Sequence, residues 1–154
     1  MNEKIVITAD DYGRIDGRNA FHSVVKRLTL GAPFMEENES MQIAAQIWRE
    51  QDDGALALSC ELPIHQVFDL MILLSRTLLY FKDAYRLPNL YNPENPAVER
   101  VGLQGDAMNV SVCVDNPQIK KDISAFSQSL SDLGELTGER LRTLSRLLEK
   151  LECY

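Results

Sequence analysis

The stretch "MQIAAQIWREQDDGALALSCELPI" (residues 41–64) decides the fold. Two runs that alternate apolar and polar residues flank the tetrapeptide "QDDG". Asp53-Gly54 is a pair that favours a two-residue type I′ turn between antiparallel strands. The sequence therefore predicts a β-hairpin with Asp53-Gly54 at its tip.

The register of this hairpin sorts its residues into an apolar face and a mixed face. A shift of one residue would mix the two sets, and a sheet with one covered face requires them to be separate. The predicted apolar pairs are Ile47 with Cys60 and Ala45 with Leu62, and the predicted mixed pairs are Trp48 with Ser59 and Gln46 with Glu61.

Further strands are predicted on both sides of the hairpin. "KIVITAD" (residues 4–10) alternates and is rich in β-branched residues, which favours a strand. "FHSVVKRLTL" (residues 21–30) fits both a helix and a strand, and we favour a strand for its second half. "AMNVSVCV" (residues 107–114) alternates again and predicts a later strand.

Helices account for most of the remaining chain. Pro63 suits the first position of a helix, and Leu87-Pro88 ends this helix after about Arg86. Residues 88–106 are predicted to form a long connection, and two more helices follow residue 116. The predicted fold is α+β in a single domain, residues 1–154, with a mainly antiparallel sheet of about four to five strands and helices on one face.

Composition limits the class of protein. The 154 residues carry a formal net charge of −7, which disfavours a binder of double-stranded nucleic acid because such proteins need a basic surface. The three cysteines form no CxxC pair, so we expect a reducing compartment and no disulfide framework or zinc site. The start of the sequence shows no signal pattern, and "VFDLMILLSRTLLYF" (residues 67–81) falls short of the roughly 20 apolar residues of a membrane span. We therefore expect a soluble, cytoplasmic protein without a membrane partner.

Several stretches together resemble a known family. They are "IDGRNA" (15–20), "ELPIHQVFDLMILLSRTLLYF" (61–81), "YNPENPAVERVGLQGDA" (91–107) and "GELTGERLRTLSRLL" (134–148). The resemblance is to a family of small bacterial proteins known only as a domain of unknown function. It implies a single compact domain, and it implies no catalytic residues because the family has no assigned activity.

The motifs of common enzyme classes are missing from the sequence. It contains two histidines and no HExxH, GxSxG, Walker loop or GxGxxG in a strand–helix context. No catalytic residue, metal ligand or cofactor is therefore assigned, and an enzyme is less favoured than a binding protein.

The long predicted helix carries a polar stripe. At about 100° per residue, His65, Asp69, Arg76 and Asp83 fall within a sector roughly 40° wide on an otherwise apolar helix. The stripe is either a solvated edge, with His65 and Asp69 paired at i, i+4, or one wall of a cleft in which Arg76 receives an anion. A buried arginine without a partner is costly, so Arg76 requires an acidic residue, a ligand or water.

The connection after this helix is the second candidate site. Loops longer than about 12–15 residues are uncommon in compact domains unless they are functional or disordered. Tyrosine rings and arginine guanidinium groups suit a nucleobase and a phosphate, although they can also pin a loop to the core. The candidate ligand contacts are Tyr85, Arg86, Tyr91, Arg100, Gln104 and Asp106, and Gly102 and Gly105 of "RVGLQGDAM" (100–108) are expected only to place them at the entry to a strand.

Three hypotheses of function follow. The first is a non-enzymatic, homo-oligomeric binding protein that sequesters a small anionic, nucleotide-like signal, by analogy with phage-encoded inhibitors of host signalling. Its pocket would lie between the polar stripe and residues 85–106. The second is a protein-interaction module, an inhibitor or adaptor that uses its acidic surface and the face bearing Trp48. The third is a small hydrolase-type enzyme in which Asp69 orients His65 as a base.

Overall fold

The computed structural model describes residues 3–17, 23–35 and 43–151. Its backbone contacts form two compact units, residues 1–72 and residues 73–154, both within the stretch predicted as a single domain. The α+β class is confirmed, but the strands lie in two sheets rather than one. The elements are β1 (Ile5–Ala9), β2 (Val25–Gly31), β3 (Ala44–Glu50), β4 (Leu56–Pro63), α1 (Ile64–Asp83), β5 (Ala97–Gly102), β6 (Ala107–Ser111), α2 (Ile119–Asp132) and α3 (Gly134–Leu151).

The first unit contains a four-stranded antiparallel sheet in the order β1-β2-β3-β4. The hairpin predicted from the sequence is β3–β4, and its pairs Ile47–Cys60, Ala45–Leu62 and Gln46–Glu61 are confirmed. The pair of Trp48 with Ser59 is wrong, because a register shift after Ile47 places Leu58 opposite Trp48.

The turn of this hairpin explains the shift. Gly54 donates its N–H to the carbonyl oxygen of Gln51 at 2.9 Å and has a φ of 84°. This is the three-residue loop with a left-handed glycine, not the predicted two-residue type I′ turn. The extra loop residue changes the register near the turn, and the irregularity between Ile47 and Trp48 restores it further along the strands.

The mixed face of the sheet is its most buried part. Thr29, Gln46 and Glu61 lie side by side on β2, β3 and β4, and all three are buried. The Thr29 hydroxyl donates to Gln46 Oε1 at 2.6 Å, and Gln46 Nε2 donates to Glu61 Oε2 at 3.0 Å. The backbone N–H groups of Phe34 and Met35 donate to the Glu61 carboxylate at 2.8 and 3.0 Å. These bonds offset the cost of burying polar groups.

Trp48 completes this buried network. Its indole N–H donates to the Thr29 hydroxyl at 2.9 Å, its ring meets Phe34 edge to face at 5.6 Å, and the Arg27 guanidinium lies 5.1 Å from the ring centre. Only 3% of Trp48 is exposed. The Trp48 side chain is therefore packed within its own unit rather than displayed on a contact surface, and the interaction hypothesis as a whole stays a prediction.

The opposite face of the sheet is apolar and partly open. Two rows of residues cross it, and Leu30, although it lies on the inner strand β2, is 38% exposed. The rows are Ile7, Leu30, Ala45 and Leu62, and next to them Ala9, Leu28, Ile47 and Cys60.

The helix α1 follows β4 without a loop. Pro63 is the last residue of β4 rather than the first residue of the helix, and the helix proper ends at Asp83 before a short 3₁₀ turn, Ala84–Arg86. None of its 20 residues is buried. By length and composition alone, with a mean hydropathy of 1.2, Ile64–Arg86 is long and apolar enough to cross a membrane, a test that helices of soluble proteins also pass.

The second unit contains the antiparallel hairpin β5–β6. The prediction of one long connection over residues 88–106 is therefore wrong, because this stretch holds a 3₁₀ turn, Pro88–Leu90, and the whole of β5. The core of the second unit is formed by buried apolar residues. Next to it, the ring of Phe126 on α2, which is partly exposed, contacts the ring of Phe81 on α1, and the two ring centres lie 5.3 Å apart. The buried apolar residues are Ala84, Tyr91, Val110 and Ile123.

Candidate ligand-binding site

The C-terminal half of α1 forms one wall of a cavity of about 640 Å³ in the second unit. A volume of this size is typical of pockets for small molecules. Charged and apolar side chains share its lining. The lining residues are Arg76, Leu79, Tyr80, Lys82, Asp83, Ala84, Leu87 and Val98.

Arg76 pairs with an acidic residue, which is one of the three kinds of partner that the sequence analysis required. Its Nη2 donates to Glu99 Oε1 on β5 at 2.6 Å, and about two thirds of the Arg76 side chain is removed from solvent. The Nε atom of Arg76 is buried and has no hydrogen-bond partner among the described residues. A guanidinium has five N–H donors, so Glu99 leaves donors available on the wall of the cavity.

Local irregularity of β5 brings Glu99 to Arg76. The pairing of β5 with β6 shifts between Ala97 and Glu99, which leaves Val98 as an additional residue on β5. Bulges of this kind change the direction of side chains. Val98 lines the cavity while its neighbour Glu99 pairs with α1.

Lys82 supplies a second cation at the cavity. Among the residues that the structure describes, its ammonium forms no ion pair. Asp83, also in the lining, lies 4.0 Å from the Arg86 guanidinium, and both side chains are mostly exposed. Exposed pairs of this kind contribute little, so the Asp83 carboxylate is only weakly neutralised.

Tyr80 fixes the wall next to Arg76. Its hydroxyl donates to the carbonyl oxygen of Leu90 at 3.0 Å, and burial raises its pKa above the ordinary value of 10.0. Leu90 has a φ of 71°, in the left-handed region that non-glycine residues seldom adopt. The hydrogen bond therefore joins α1 to a strained turn.

The two tyrosines that were predicted to contact a ligand differ in burial, and neither of them lines the cavity. Tyr91 is 3% exposed and belongs to the core, so its ring does not offer a face to a ligand. This supports the alternative that Tyr91 pins the segment to the core. Tyr85 is exposed, with the Arg86 guanidinium 5.8 Å from its ring centre, and neither residue lines the cavity.

The residues of "RVGLQGDAM" lie at the end of the β5–β6 hairpin. Arg100 Nη2 is 3.7 Å from Asp106 Oδ1, and Gln104 is exposed in the connecting turn. Neither Gly102 nor Gly105 has a positive φ, so the backbone freedom expected of them is not used. The stretch turns the chain between two strands, and the lining of the cavity contains none of it.

His65 and Asp69 also lie outside the lining of this cavity. His65 is exposed, Asp69 is half-buried, and within the described part of the chain no hydrogen bond or ion pair joins them. The oriented base of the enzyme hypothesis is therefore not formed. No group of three or more His, Cys, Asp or Glu residues suited to a metal ion occurs among the described residues.

The comparisons with known proteins identify a family. The sequence pattern of a family of unknown function, DUF6530, matches residues 1–154. The chain belongs to this family. No curated protein and no solved structure matches it.

The site of this DUF6530 member includes residues that the sequence analysis missed. Glu99 was missed because residues 97–102 were assigned to a loop, although "AVERVG" and "AMNVSV" around a short glycine-containing turn are typical of a hairpin. Lys82 and Tyr80 were missed because they lie outside the polar stripe of the helix. A cavity wall covers a wider arc of a helix than one polar stripe does.

Proposed function

We propose that this DUF6530 member binds a small anion, a carboxylate or phosphate compound, in the 640 Å³ cavity of its second unit. The Arg76 guanidinium carries the proposal, because it lines the cavity, is 31% exposed and is paired with Glu99 through Nη2 alone. Its remaining Nη donors can pair with an oxyanion, and hydrogen bonds from a charged donor are stronger than those between neutral groups.

The charges around the cavity define how such a ligand would bind. Arg76 and Lys82 are balanced by Glu99 and Asp83, so the four groups have no net charge. Long-range attraction is therefore small, and directional hydrogen bonds from the free guanidinium donors must supply the affinity. A ligand that uses them leaves the Arg76–Glu99 pair intact.

A nucleotide-like ligand remains a proposal with reduced support. The first hypothesis relied on Tyr85 or Tyr91 for stacking, whereas the tyrosine in the lining is Tyr80. The anion-binding part of that hypothesis gains support from Arg76 and Lys82, and we retain sequestration without catalysis as the role.

Thermal unfolding with added ligand tests the proposal. AMP and methyl phosphate are the probes, and a ligand that binds only the folded state stabilises it by about 2.7 kcal/mol at a hundredfold excess over its Kd. The paired variant Arg76→Gln with Glu99→Gln removes both charges together, so no unpaired carboxylate remains. We expect it to weaken binding by about tenfold or more, the value of a charged hydrogen bond.

Arg146→Gln is the matched control, because Arg146 is an exposed arginine on α3, outside the cavity lining. It should bind both probes as the wild-type protein does. The proposal is wrong if neither probe raises the melting temperature at millimolar concentration, or if the paired variant binds as tightly as the wild type.

The apolar sheet face favours self-association as a second candidate function. Its two rows carry no charged residue, so a second copy of this chain, with its own charge of −7, could approach without burying like charges. Four strands about 4.8 Å apart give a face on the order of 300–400 Å². A stable interface buries about 800 Å² per partner, so this face alone supports only weak association.

Sedimentation velocity over a range of protein concentrations tests self-association. We expect a reversible dimer at high concentration, and Leu30→Glu should shift it to monomer because the glutamate would be buried unpaired. Gln51→Glu adds the same charge in the exposed hairpin turn and should leave the dimer unchanged. A monomer at every concentration would contradict this candidate.

A further inference from the structure

A second cavity, of about 290 Å³, lies beside the candidate site within the same unit. Its walls come from α1, the β5–β6 hairpin and α2. They are formed mainly by the apolar side chains Phe81, Val98, Val110, Ile119, Ile123 and Phe126.

The polar groups on these walls are largely committed elsewhere. The Thr77 hydroxyl donates to the carbonyl oxygen of Leu73 at 2.8 Å, and the Asp122 carboxylate accepts from Asn116 Nδ2 at 2.9 Å. The cavity is open to solvent on one side, and an apolar group that fills it removes the surface of these apolar side chains from water. This cavity therefore suits an apolar group better than water.

The two cavities share wall residues. Tyr80 and Val98 line both of them. Val98 is the additional residue of the β5 bulge, and the Tyr80 hydroxyl is held by Leu90. The two cavities therefore adjoin at these two side chains, and a ligand that occupies both must pass beside them.

We infer that the ligand is amphiphilic: its carboxylate or phosphate head binds at Arg76 and Lys82, and an apolar group of about six carbons fills the cavity lined by Phe81 and Phe126. This inference rests on the proposed anion-binding function and names the ligand class. The juxtaposition of a charged and an apolar cavity across Tyr80 and Val98 carries it.

A third cavity is an alternative place for the apolar group of the ligand. It has a volume of about 590 Å³, shares Leu79 and Lys82 with the charged cavity, and lies along α1, α2 and α3. Three serines, Ser75, Ser127 and Ser131, are in its lining, so water can be held there. The smaller cavity, with the buried residues Val110 and Ile123 in its wall, is the better apolar site.

Methyl phosphate and hexyl phosphate compare the same head with different tails. Each buried methylene strengthens binding by up to about fourfold, so hexyl phosphate should bind at least about tenfold more tightly than methyl phosphate. Binding of both is measured by isothermal titration calorimetry on the full chain.

Three phenylalanine substitutions identify the cavity that holds the tail. Ser111→Phe should fill the apolar cavity and abolish the advantage of hexyl phosphate while methyl phosphate still binds. Asn109→Phe, on the same strand but outside that lining, is the matched control and should keep the advantage. Ser127→Phe fills the third cavity and should also keep it.

The Cys113 thiol gives an independent measure of occupancy, because Cys113 is exposed and lines the apolar cavity. Hexyl phosphate should slow its alkylation by N-ethylmaleimide several-fold, whereas methyl phosphate should not. Cys60, half-buried on the sheet of the first unit, reports any general change in reactivity.

The outcomes separate this inference from the proposed function. Equal affinity for both phosphates, each lost in the Arg76→Gln and Glu99→Gln variant, would overturn the amphiphilic ligand and leave anion binding intact. Loss of the hexyl advantage with Ser127→Phe but not with Ser111→Phe would place the tail in the third cavity and overturn it as well. If hexyl phosphate still binds after the charges of Arg76 and Glu99 are removed, both the amphiphilic ligand and the proposed anion binding are contradicted.

Discussion

Burial separates three tyrosines that look equivalent as residues in the sequence. Tyr91 is in the core, Tyr85 is exposed, and Tyr80 is intermediate and lines both cavities. From the sequence, ligand contacts were predicted at Tyr85 and Tyr91, because these residues lie just before and within an apparent loop. Tyr80 was not assigned a role, because it lies among apolar residues outside the polar stripe of the helix.

Tyr80 gives a pH-dependent prediction at this scale. Burial raises its pKa above 10.0, so the folded protein holds the phenol proton after the unfolded chain has lost it. The free energy of unfolding should therefore fall as the pH rises above about 10 and through the folded-state pKa. Urea unfolding of the wild type and Tyr80→Phe, at neutral pH and above pH 10, measures this.

Tyr80→Phe also loses the hydrogen bond to Leu90, which should lower the free energy of unfolding by about 1 kcal/mol at neutral pH. Its alkaline decrease should be smaller than that of the wild type. Tyr85→Phe, at an exposed tyrosine, should change neither quantity. An unchanged alkaline decrease in Tyr80→Phe would show that this phenol does not contribute to it.

Among the elements, strand irregularities decide where side chains point. The shift after Ile47 places Leu58 rather than Ser59 opposite Trp48, and the bulge at Val98 allows Glu99 to meet Arg76. Alternation in the sequence predicts the strands and one register, but it does not show where one strand gains a residue. The pairs confirmed in β3–β4 are those on the far side of the shift from the turn.

The close approach of β1 and β2 gives a prediction at the scale of elements. A Cβ on Gly31 would overlap the carbonyl oxygen of Lys4 and would lie 2.9 Å from the Cα of Ile5. Both obstacles are backbone, so β1 would have to move. Gly31→Ala should lower the free energy of unfolding by about 2 kcal/mol or more, measured by urea denaturation.

Gly105→Ala is the control for this substitution. Gly105 has no positive φ, and no atom lies within 4 Å of a Cβ placed on it. Its stability should stay within about 0.5 kcal/mol of the wild type. Equal effects of the two alanines would mean that Gly31 is not held against β1.

For the whole molecule, the two compact units contain different kinds of surface. The first has a sheet with a buried polar network on one face and exposed apolar side chains on the other. The second holds the charged and apolar cavities beside α1. The DUF6530 pattern spans both, residues 1–154. The predictions of a homo-oligomer and of a cytoplasmic location remain predictions.

The sequence by itself determined the α+β class, the main hairpin, the long helix and the need of Arg76 for a partner. These follow from local periodicity, turn residues and the cost of an unpaired buried charge. Only the tertiary structure decided that the partner is Glu99, that Tyr91 is buried and that Tyr80 and Val98 line two adjoining cavities. Those features depend on bulges and on contacts between elements distant in sequence, which hydrophobic patterning does not specify.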